Sequence, residues 1–394
     1  MGVAGDGALA LRPRTNVERV KKQDRRSAWP TAAGLLCGAL LDRVLPDPES
    51  GHPVAVYGRA AGRLERLVYR PSQGRGAAFT LLAVAPVAAG AGLLHSRCGG
   101  PGVRAAVTCG VTWAVVGGAM LGREAEAIAG ALEAGDLDEA RRRLPGLCGR
   151  DPQALDERGF ARATVESVAE NTSDAVVAPL LWGAVLGLPG LCGYRAVNTL
   201  DAMVGHRSPR YARFGWASAR LDDVLNWAPA RLTAALTAAA APVVGGSPAH
   251  VLRMRARYGS RHPSPNAGHC EAAFAGALDL RLGGRNVYGS RVEDRPELGE
   301  GRSPEVTDIR RAVRLARTVN AAAAGTAAAT ALALAARGTR PTRSAPATAV
   351  DRSGVPTLAA GALSLLLRPG AKGRLARRLA AHAAFGTLRG RRAS

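Results

Sequence analysis

Three carboxylates recur at four-residue spacing between Glu166 and Asp174. On an α-helix, Glu166, Glu170 and Asp174 would stack along one face, where like charges repel each other. No Lys or Arg is interleaved in this segment to compensate. A divalent cation with oxygen ligands would neutralise such a ridge. We therefore interpret the ridge as part of a catalytic or metal-binding site rather than a solvated acidic face, because an apolar segment follows it directly.

A second pair of carboxylates stands at Asp222 and Asp223. Asp223 is spaced to pair with Arg220, whereas Asp222 shares the next helix face with Asn226. Adjacent carboxylates beside an apolar segment favour binding of a metal or of a metal–phosphate complex. The alternative is an interfacial salt bridge that caps a membrane helix. The metal hypothesis names Glu170, Asp174 and Asp222.

Other polar residues lie between and after these two groups, and turns and helix ends would account for them equally well. Ser-Pro-Asn is turn chemistry, and a glycine pair can expose backbone N–H groups to an anion. The candidates for substrate binding are Asn171, Thr172, Asn198, Asp201, Arg220, Ser264, Asn266, Glu271, Gly283 and Gly284.

The elements that must position these residues are apolar segments rich in small side chains. Hydrophobic residues make up 47% of the chain and aromatics only 4%, and small residues suit close helix packing in a bilayer. A spanning helix needs about 20 apolar residues. We predict an all-α, polytopic membrane helical bundle with polar helical loops and four to six spanning helices. The apolar segments are Thr31–Leu45, Ala77–Leu94, Ala105–Leu121, Ala175–Gly193, Ala228–Val244 and Ala321–Ala336.

The segment Ala175–Gly193 separates the two acidic groups. If it spanned the membrane, Glu170 and Asp222 would lie on opposite sides and could not share a substrate. Pro179 and Pro189-Gly190 allow a broken or re-entrant segment instead. We therefore predict that both groups reach one cavity that faces the cytoplasm.

Charge and composition exclude several other classes of protein. The net charge is +22, yet the arginines alternate with apolar segments and form no aromatic-studded basic face, so nucleic-acid binding is not expected. Basic loops near anionic lipid explain the charge more simply. The six cysteines form no CxxC pair, which argues against zinc sites and disulfides. We divide the chain into a basic disordered segment (1–30), a membrane-embedded catalytic helical domain (31–337) and a flexible linker with a basic tail (338–394).

The blocks described above, in this order, resemble the adenosylcobinamide-phosphate synthase family of cobalamin biosynthesis, whose members are multi-pass membrane proteins. The resemblance covers about Ala33 to Arg317. The sequence departs from the family at His269-Cys270, Arg285 and Ala175. The matching blocks are Leu41-Asp42, His52-Pro53-Val54, Glu166–Asp174, Val176–Pro179, Asn198–Gly205, Tyr211, Phe214-Gly215, Ala217–Asp223, Pro229–Leu232, Ser264–Gly268, Glu271–Ala273, Ala275–Leu278 and Arg281–Gly284.

The resemblance implies an amide-forming ligase at the cell membrane that joins the free carboxylate of adenosylcobyric acid to aminopropanol or its phosphate. It implies ATP and Mg²⁺ as cofactors, the lipid bilayer as surroundings, and soluble enzymes of cobalamin assembly as partners. Such a reaction needs an activated acid, an acyl phosphate, and a deprotonated amine. On this hypothesis the catalytic residues are Glu166, Glu170, Asp174, Asp222 and Asp223, with Arg220 holding phosphate and Asn198, Asp201, Asn266 and Glu271 orienting substrate.

Two alternatives stay open at this point. The first is a non-catalytic membrane signalling protein, because a related branch of the same superfamily is implied to act in the β-lactam response. The retained carboxylates argue against this alternative. A transporter of corrinoid or cation would place charges inside spanning helices, and Asp42 and Arg231 are the main candidates for such charges.

Overall fold

The computed structural model describes residues 28–45, 51–206, 208–288 and 291–338, all within one compact unit. The predicted segments 1–30 and 338–394 lie almost entirely outside the described residues. The described chain is helical apart from one hairpin. Its helices are α1 (Ala28–Val44), α2 (Pro53–Val68), α3 (Gln73–Arg97), α4 (Pro101–Val115), α5 (Gly118–Glu133), α6 (Leu137–Arg143), α7 (Glu157–Thr172), α8 (Ala178–Leu186), α9 (Leu188–Leu200), α10 (Tyr211–Phe214), α11 (Trp216–Leu225), α12 (Trp227–Ala240), α13 (Pro248–Tyr258), α14 (Ala267–Leu278) and α15 (Val306–Gly338).

The predicted membrane helical bundle is confirmed, although with fewer spans than expected. Among the described residues, three helical stretches are long and apolar enough to cross a membrane: Gln73–Arg97, Pro101–Glu133 and Val306–Arg337. The other apolar segments form shorter helices. The segment 175–193 is one of them, because Gly187 adopts a φ of 67° and separates α8 from α9.

The stretch Pro101–Glu133 is interrupted between α4 and α5. The break at Val116–Gly117 leaves backbone N–H groups without partners in their own helix. The Gly117 N–H donates to the Ala175 carbonyl at 3.2 Å, and the Ala119 N–H donates to Asp42 Oδ2 at 3.0 Å. The buried carboxylate of Asp42 therefore serves as a cap for α5. This structural role explains its charge, which the sequence analysis had considered as a sign of a transporter.

Glycines on α1 allow it to approach α4 closely. Gly34 and Gly38 lie one helical turn apart and face Thr108 and Thr112, which lie one turn apart on α4. A Cβ added at either glycine would come within 2.4 Å of the facing threonine Cβ. Small residues at this spacing let helix backbones pack tightly in a membrane protein.

Replacing Gly38 with alanine is expected to destabilise the protein by about 1–3 kcal/mol, because the new methyl group has no room against Thr112 and the Cys109 carbonyl. Thermal unfolding in detergent would measure the effect. Gly110→Ala is the matched control, since nothing lies within 4 Å of the added Cβ and alanine favours a helix. A Gly38→Ala protein as stable as this control would contradict the packing.

The hairpin is a departure from the all-α prediction. Strands β1 (Leu282–Tyr288) and β2 (Arg291–Leu298) pair antiparallel, with a register shift between Leu282 and Gly284. Gly283 and Gly284 have φ values of 89° and 81°, a conformation that favours glycine. The glycine pair predicted as a loop turn is thus a bulge within a strand.

Candidate active site

Two π-helical turns position carboxylates at the ends of α7 and α9. One covers Ser173–Val177 and carries Asp174, and the other covers Asp201–Gly205. Each turn adds a residue to the helical path and redirects the side chains, a feature that recurs at functional sites. The turn after α7 removes Asp174 from the regular helical register. The predicted ridge of three stacked carboxylates is therefore interrupted between Glu170 and Asp174.

Asn198 connects the two acidic groups. Its Nδ2 donates to Asp174 Oδ2 at 3.4 Å and to Asp222 Oδ1 at 3.5 Å. One amide nitrogen therefore contacts a carboxylate from each side of segment 175–193. The break at Gly187 makes this possible, because it returns the chain toward α7 instead of carrying it across a membrane.

A chain of hydrogen bonds fixes the orientation of Asp222. The buried Tyr194 hydroxyl donates to Asn226 Oδ1 at 2.7 Å, and Asn226 Nδ2 donates to Asp222 Oδ2 at 2.9 Å. With Asn198 on its other oxygen, Asp222 is held from two sides by side-chain amides. Amide donors stabilise a carboxylate without neutralising its charge, so its negative charge stays available.

The carboxylates of Glu170, Asp174, Asp201 and Asp222, which we call the acidic cluster, repel one another. Burial, followed by repulsion from Asp222, Glu170 and Asp201, raises the pKa of Asp174 well above its usual range. Burial and the neighbouring carboxylates raise the pKa of Asp201 to about 7 and that of Asp222 to about 6. Burial raises the pKa of Glu170, and repulsion from Glu166 adds to this shift. The positive charges of Arg295 and Arg150 oppose it. The cluster thus holds more negative charge than its surroundings compensate.

These pKa shifts predict that the folded protein loses stability as pH rises. Burial raises the pKa of Asp201 to about 7, so the folded state keeps a proton that the unfolded chain releases near pH 4. The unfolding free energy then falls between about pH 4 and pH 7. Asp201→Asn is expected to reduce this fall by about 2 kcal/mol, the group being only half-buried. Unfolding midpoints at about pH 5 and pH 8 would test this, and equal pH dependence in both proteins would contradict it.

Glu166 is engaged in a buried ion pair. Its Oε2 pairs with Arg150, and both side chains are 5% exposed. Its Oε1 accepts the Gly283 N–H at 2.6 Å. Both oxygens therefore have partners in the protein, and the carboxylate anchors the glycine bulge. The catalytic role predicted for Glu166 stays a prediction.

Glu271 lies against His262 in a second buried group. The Ser264 N–H donates to His262 Nδ1 at 3.0 Å, and Arg295 Nη1 lies 3.1 Å from Nε2, so N–H donors face both ring nitrogens. Nε2 lies 3.7 Å from Glu271 Oε1. Burial and Arg295 lower the pKa of His262 to about 4, and burial with repulsion from Glu166 and Glu170 raises the pKa of Glu271 well above its usual range.

Several other predicted site residues use their polar atoms locally. Thr172 is fully buried and donates to the Val168 carbonyl at 2.7 Å, and Asn171 donates to the Ser167 carbonyl at 2.9 Å. Ser264 Oγ accepts the Asn266 and Ala267 N–H groups at the start of α14. Their contacts are those of helix residues and caps.

The second acidic group divides between two environments. Asp223 pairs with the exposed Arg220 at 3.3 Å, on the outer side of α11. Asn266 Nδ2 donates to the Asp223 carbonyl at 2.8 Å, and Arg231 donates to Asn266 Oδ1 at 3.2 Å while lying over the Trp227 ring. Arg231, the second charge considered as a sign of transport, thus lies near the start of α12 and binds Asn266. Asp222 therefore belongs to the acidic cluster. Asp223 and Arg220 instead form a salt bridge, which the sequence analysis gave as the alternative to metal binding.

The metal hypothesis finds no preformed three-ligand group. In the part of the chain that the structure describes, no three His, Cys, Asp or Glu side chains are arranged to hold a metal ion directly. Glu170, Asp174 and Asp222 are neighbours without converging on one point. Direct coordination by all three is therefore not present in this arrangement.

Sequence reasoning missed several residues that contact the predicted site residues. Arg150 and His262 lie against Glu166 and Glu271 from other parts of the chain, so spacing gave no signal for them. The only signal for Tyr194 and Arg195 was their position one helical turn before Asn198, on the same helix.

Comparison with known proteins identifies the group to which the chain is related. The family model described as CobD/Cbib protein matches residues 35–316. The chain belongs to the CobD/Cbib family. A cobalamin biosynthesis protein CobD from Mycobacterium tuberculosis is 55% identical over 302 residues, covering 76% of this chain and 95% of the relative. No solved structure matches.

More distant relatives carry the same name. The CobD protein of Rhodobacter capsulatus is 44% identical over 68% of this chain and 85% of its own length. That of Chromobacterium violaceum is 44% identical over 70% of this chain and 89% of its own length. Membership of the CobD family assigns the chain to cobalamin biosynthesis.

Proposed function

We propose that this member of the CobD/Cbib family forms the amide bond between the free propionate carboxylate of adenosylcobyric acid and aminopropanol or its phosphate. The observation that supports the proposal most strongly is the acidic cluster around Asn198, where Asp174 from the turn after α7 and Asp222 from α11 contact the same amide. A fold that keeps mutually repelling carboxylates together gives up stability for them, which is typical of a functional site.

The amine substrate fits this cluster electrostatically. Aminopropanol carries an ammonium group at neutral pH, and attack on an acyl carbon requires that it lose a proton. A general base works best when its pKa lies near the operating pH. The pKa of Asp201 is raised to about 7 by burial and its carboxylate neighbours, and no donor binds this carboxylate among the described side chains. We assign Asp201 the role of accepting the ammonium proton.

The donor set also fits a magnesium ion bound with ATP. Mg²⁺ is usually held by one or two carboxylates together with waters and substrate phosphates, so a preformed three-ligand group is not required. Asp174 and Asp222, joined through Asn198, would hold it, with Glu170 binding through water. Bound there, Mg–ATP would supply the activation of the acid, and Asn198 would keep the two carboxylates in position.

A cavity of about 320 Å³ adjoins the bulge that Glu166 anchors and suits an anionic substrate group. It is lined by Gly283 and Gly284, by four arginines and by the carboxylates of Asp156 and Glu297, the second of which lies 3.8 Å from Arg281. Arg162 donates to the Gly283 and Arg285 carbonyls and shapes this wall. Arginine side chains favour phosphate, so we assign this cavity to a phosphate of ATP or of aminopropanol phosphate. The arginines are Arg158, Arg162, Arg281 and Arg285.

We also propose that the protein resides in the cell membrane with this site toward the cytoplasm, where ATP and soluble enzymes of cobalamin assembly are available. Ligation by the purified full-length protein would test the function. Formation of adenosylcobinamide or its phosphate from adenosylcobyric acid should require one of the two amines, ATP and Mg²⁺. A folded protein that forms no amide under any of these conditions, and restores no cobinamide formation in a strain blocked at this step, would contradict the proposal.

A further inference from the structure

A second basic cavity lies at the polar end of the long helix α15. It has a volume of about 460 Å³ and lies between the C-terminal end of α1, helix α5 and helix α15. None of its lining residues belongs to the acidic cluster or to the glycine bulge. The charged residues in its wall are Arg43, Glu126, Arg310, Arg314 and Arg317.

The positive charge of this cavity exceeds what nearby carboxylates neutralise. Arg310 pairs with Glu133 at 2.7 Å, and Arg317 pairs with Glu126 at 2.9 Å. Arg43 and Arg314 are exposed and form no ion pair with the described residues. Two guanidinium groups on different helices thus share one cavity and have no carboxylate partner within the described part of the chain.

The cavity lies at an edge of the apolar layer of the protein. From Arg317 to Arg337 helix α15 contains no other charged residue, and about 20 residues at a rise of about 1.5 Å span about 30 Å, the thickness of the hydrocarbon core. Arg317 therefore marks one boundary of that layer. Leu40 and Val44, on the same helix as Arg43, are 59% and 72% exposed.

We propose that this cavity binds the phosphate headgroup of an anionic phospholipid. Basic pockets between membrane helices bind such headgroups, and guanidinium groups match phosphate oxygens in geometry as well as charge. The exposed Leu40 and Val44 would contact the acyl chains. A soluble phosphate would make no use of these apolar residues, which favours the lipid.

Lipid retention by the full-length protein tests the proposal. The protein is extracted from vesicles of equal parts phosphatidylglycerol and phosphatidylcholine, and bound lipid is measured by native mass spectrometry. The wild type should retain phosphatidylglycerol selectively, and Arg43→Gln/Arg314→Gln should retain about tenfold less. Arg43→Lys/Arg314→Lys keeps the charge and should retain most of the binding.

The matched control is Arg253→Gln/Arg261→Gln, which removes the same charge from exposed positions on and after α13. It should bind lipid as the wild type does. Equal retention by the Arg43→Gln/Arg314→Gln protein and this control would overturn the proposal. Displacement of the lipid by millimolar glycerol 3-phosphate would also overturn it, because the site would then recognise a soluble phosphate.

Discussion

Replacing Asp222 with asparagine is expected to lower the ligation rate by about 100-fold or more while the protein remains folded. Asp222 is held by Asn226 on one oxygen and by Asn198 on the other, and asparagine is close to it in size. The change removes the negative charge that would hold the cation or the ammonium group. Product formation by the purified variant, with adenosylcobyric acid and saturating amine, would measure the loss.

The matched control for this variant is Asp138→Asn. Asp138 is an exposed carboxylate that pairs with Arg141 at 2.7 Å on α6, so the same chemical change should leave ligation unaltered. The unfolding midpoint of Asp222→Asn should stay close to that of the wild type, because the decrease in repulsion within the acidic cluster offsets the loss of one hydrogen-bond acceptor. Full ligation activity in Asp222→Asn would show that this carboxylate takes no part in the reaction.

Replacing Arg150 with leucine is expected to destabilise the protein by about 3–5 kcal/mol, since it leaves the buried Glu166 carboxylate without its cation. Denaturation followed by circular dichroism in detergent would measure the effect. The same substitution at the exposed Arg142, which pairs with Glu139 at 2.6 Å, should change stability by less than about 1 kcal/mol.

A second variant separates the charge effect from lost packing. Arg150→Leu/Glu166→Gln removes both charges and leaves an amide oxygen for the Gly283 N–H. It should recover at least half of the stability lost by Arg150→Leu alone. A double variant as unstable as the single one would mean that Arg150 stabilises the protein through packing or its other contacts, and not through its pairing with Glu166.

The hydrophobic pattern predicted the fold at the level of helices but not of their ends. Ala77–Leu94 and Ala321–Ala336 lie inside α3 and α15, and the interrupted segment 175–193 was expected from its prolines. The hairpin was missed because its two strands, 282–288 and 291–298, contain glycine, proline and charged residues and show no alternating apolar pattern. The two π-helical turns were missed because their backbone geometry follows from tertiary packing rather than from local spacing.

The carboxylates of the candidate site could be predicted because unpaired charges beside apolar segments are unusual. Their partners could not. Glu166 looked uncompensated since its own helix offers no cation, yet Arg150, sixteen residues earlier in the chain, neutralises it. Asn226 lies one helical turn after Asp222 and could be expected as its partner, whereas Tyr194 reaches Asn226 from α9 only once the helices pack.

The central claim, that α7 and α11 contribute to one catalytic site, is tested most directly by a double-mutant cycle of ligation rates. Asp174→Asn, Asp222→Asn and the double variant are compared with the wild type under identical conditions. Residues that act as a unit lose little more together than either loses alone, so we predict a double variant about as slow as the slower single variant. Fully additive losses, or a single variant with wild-type activity, would contradict a shared site.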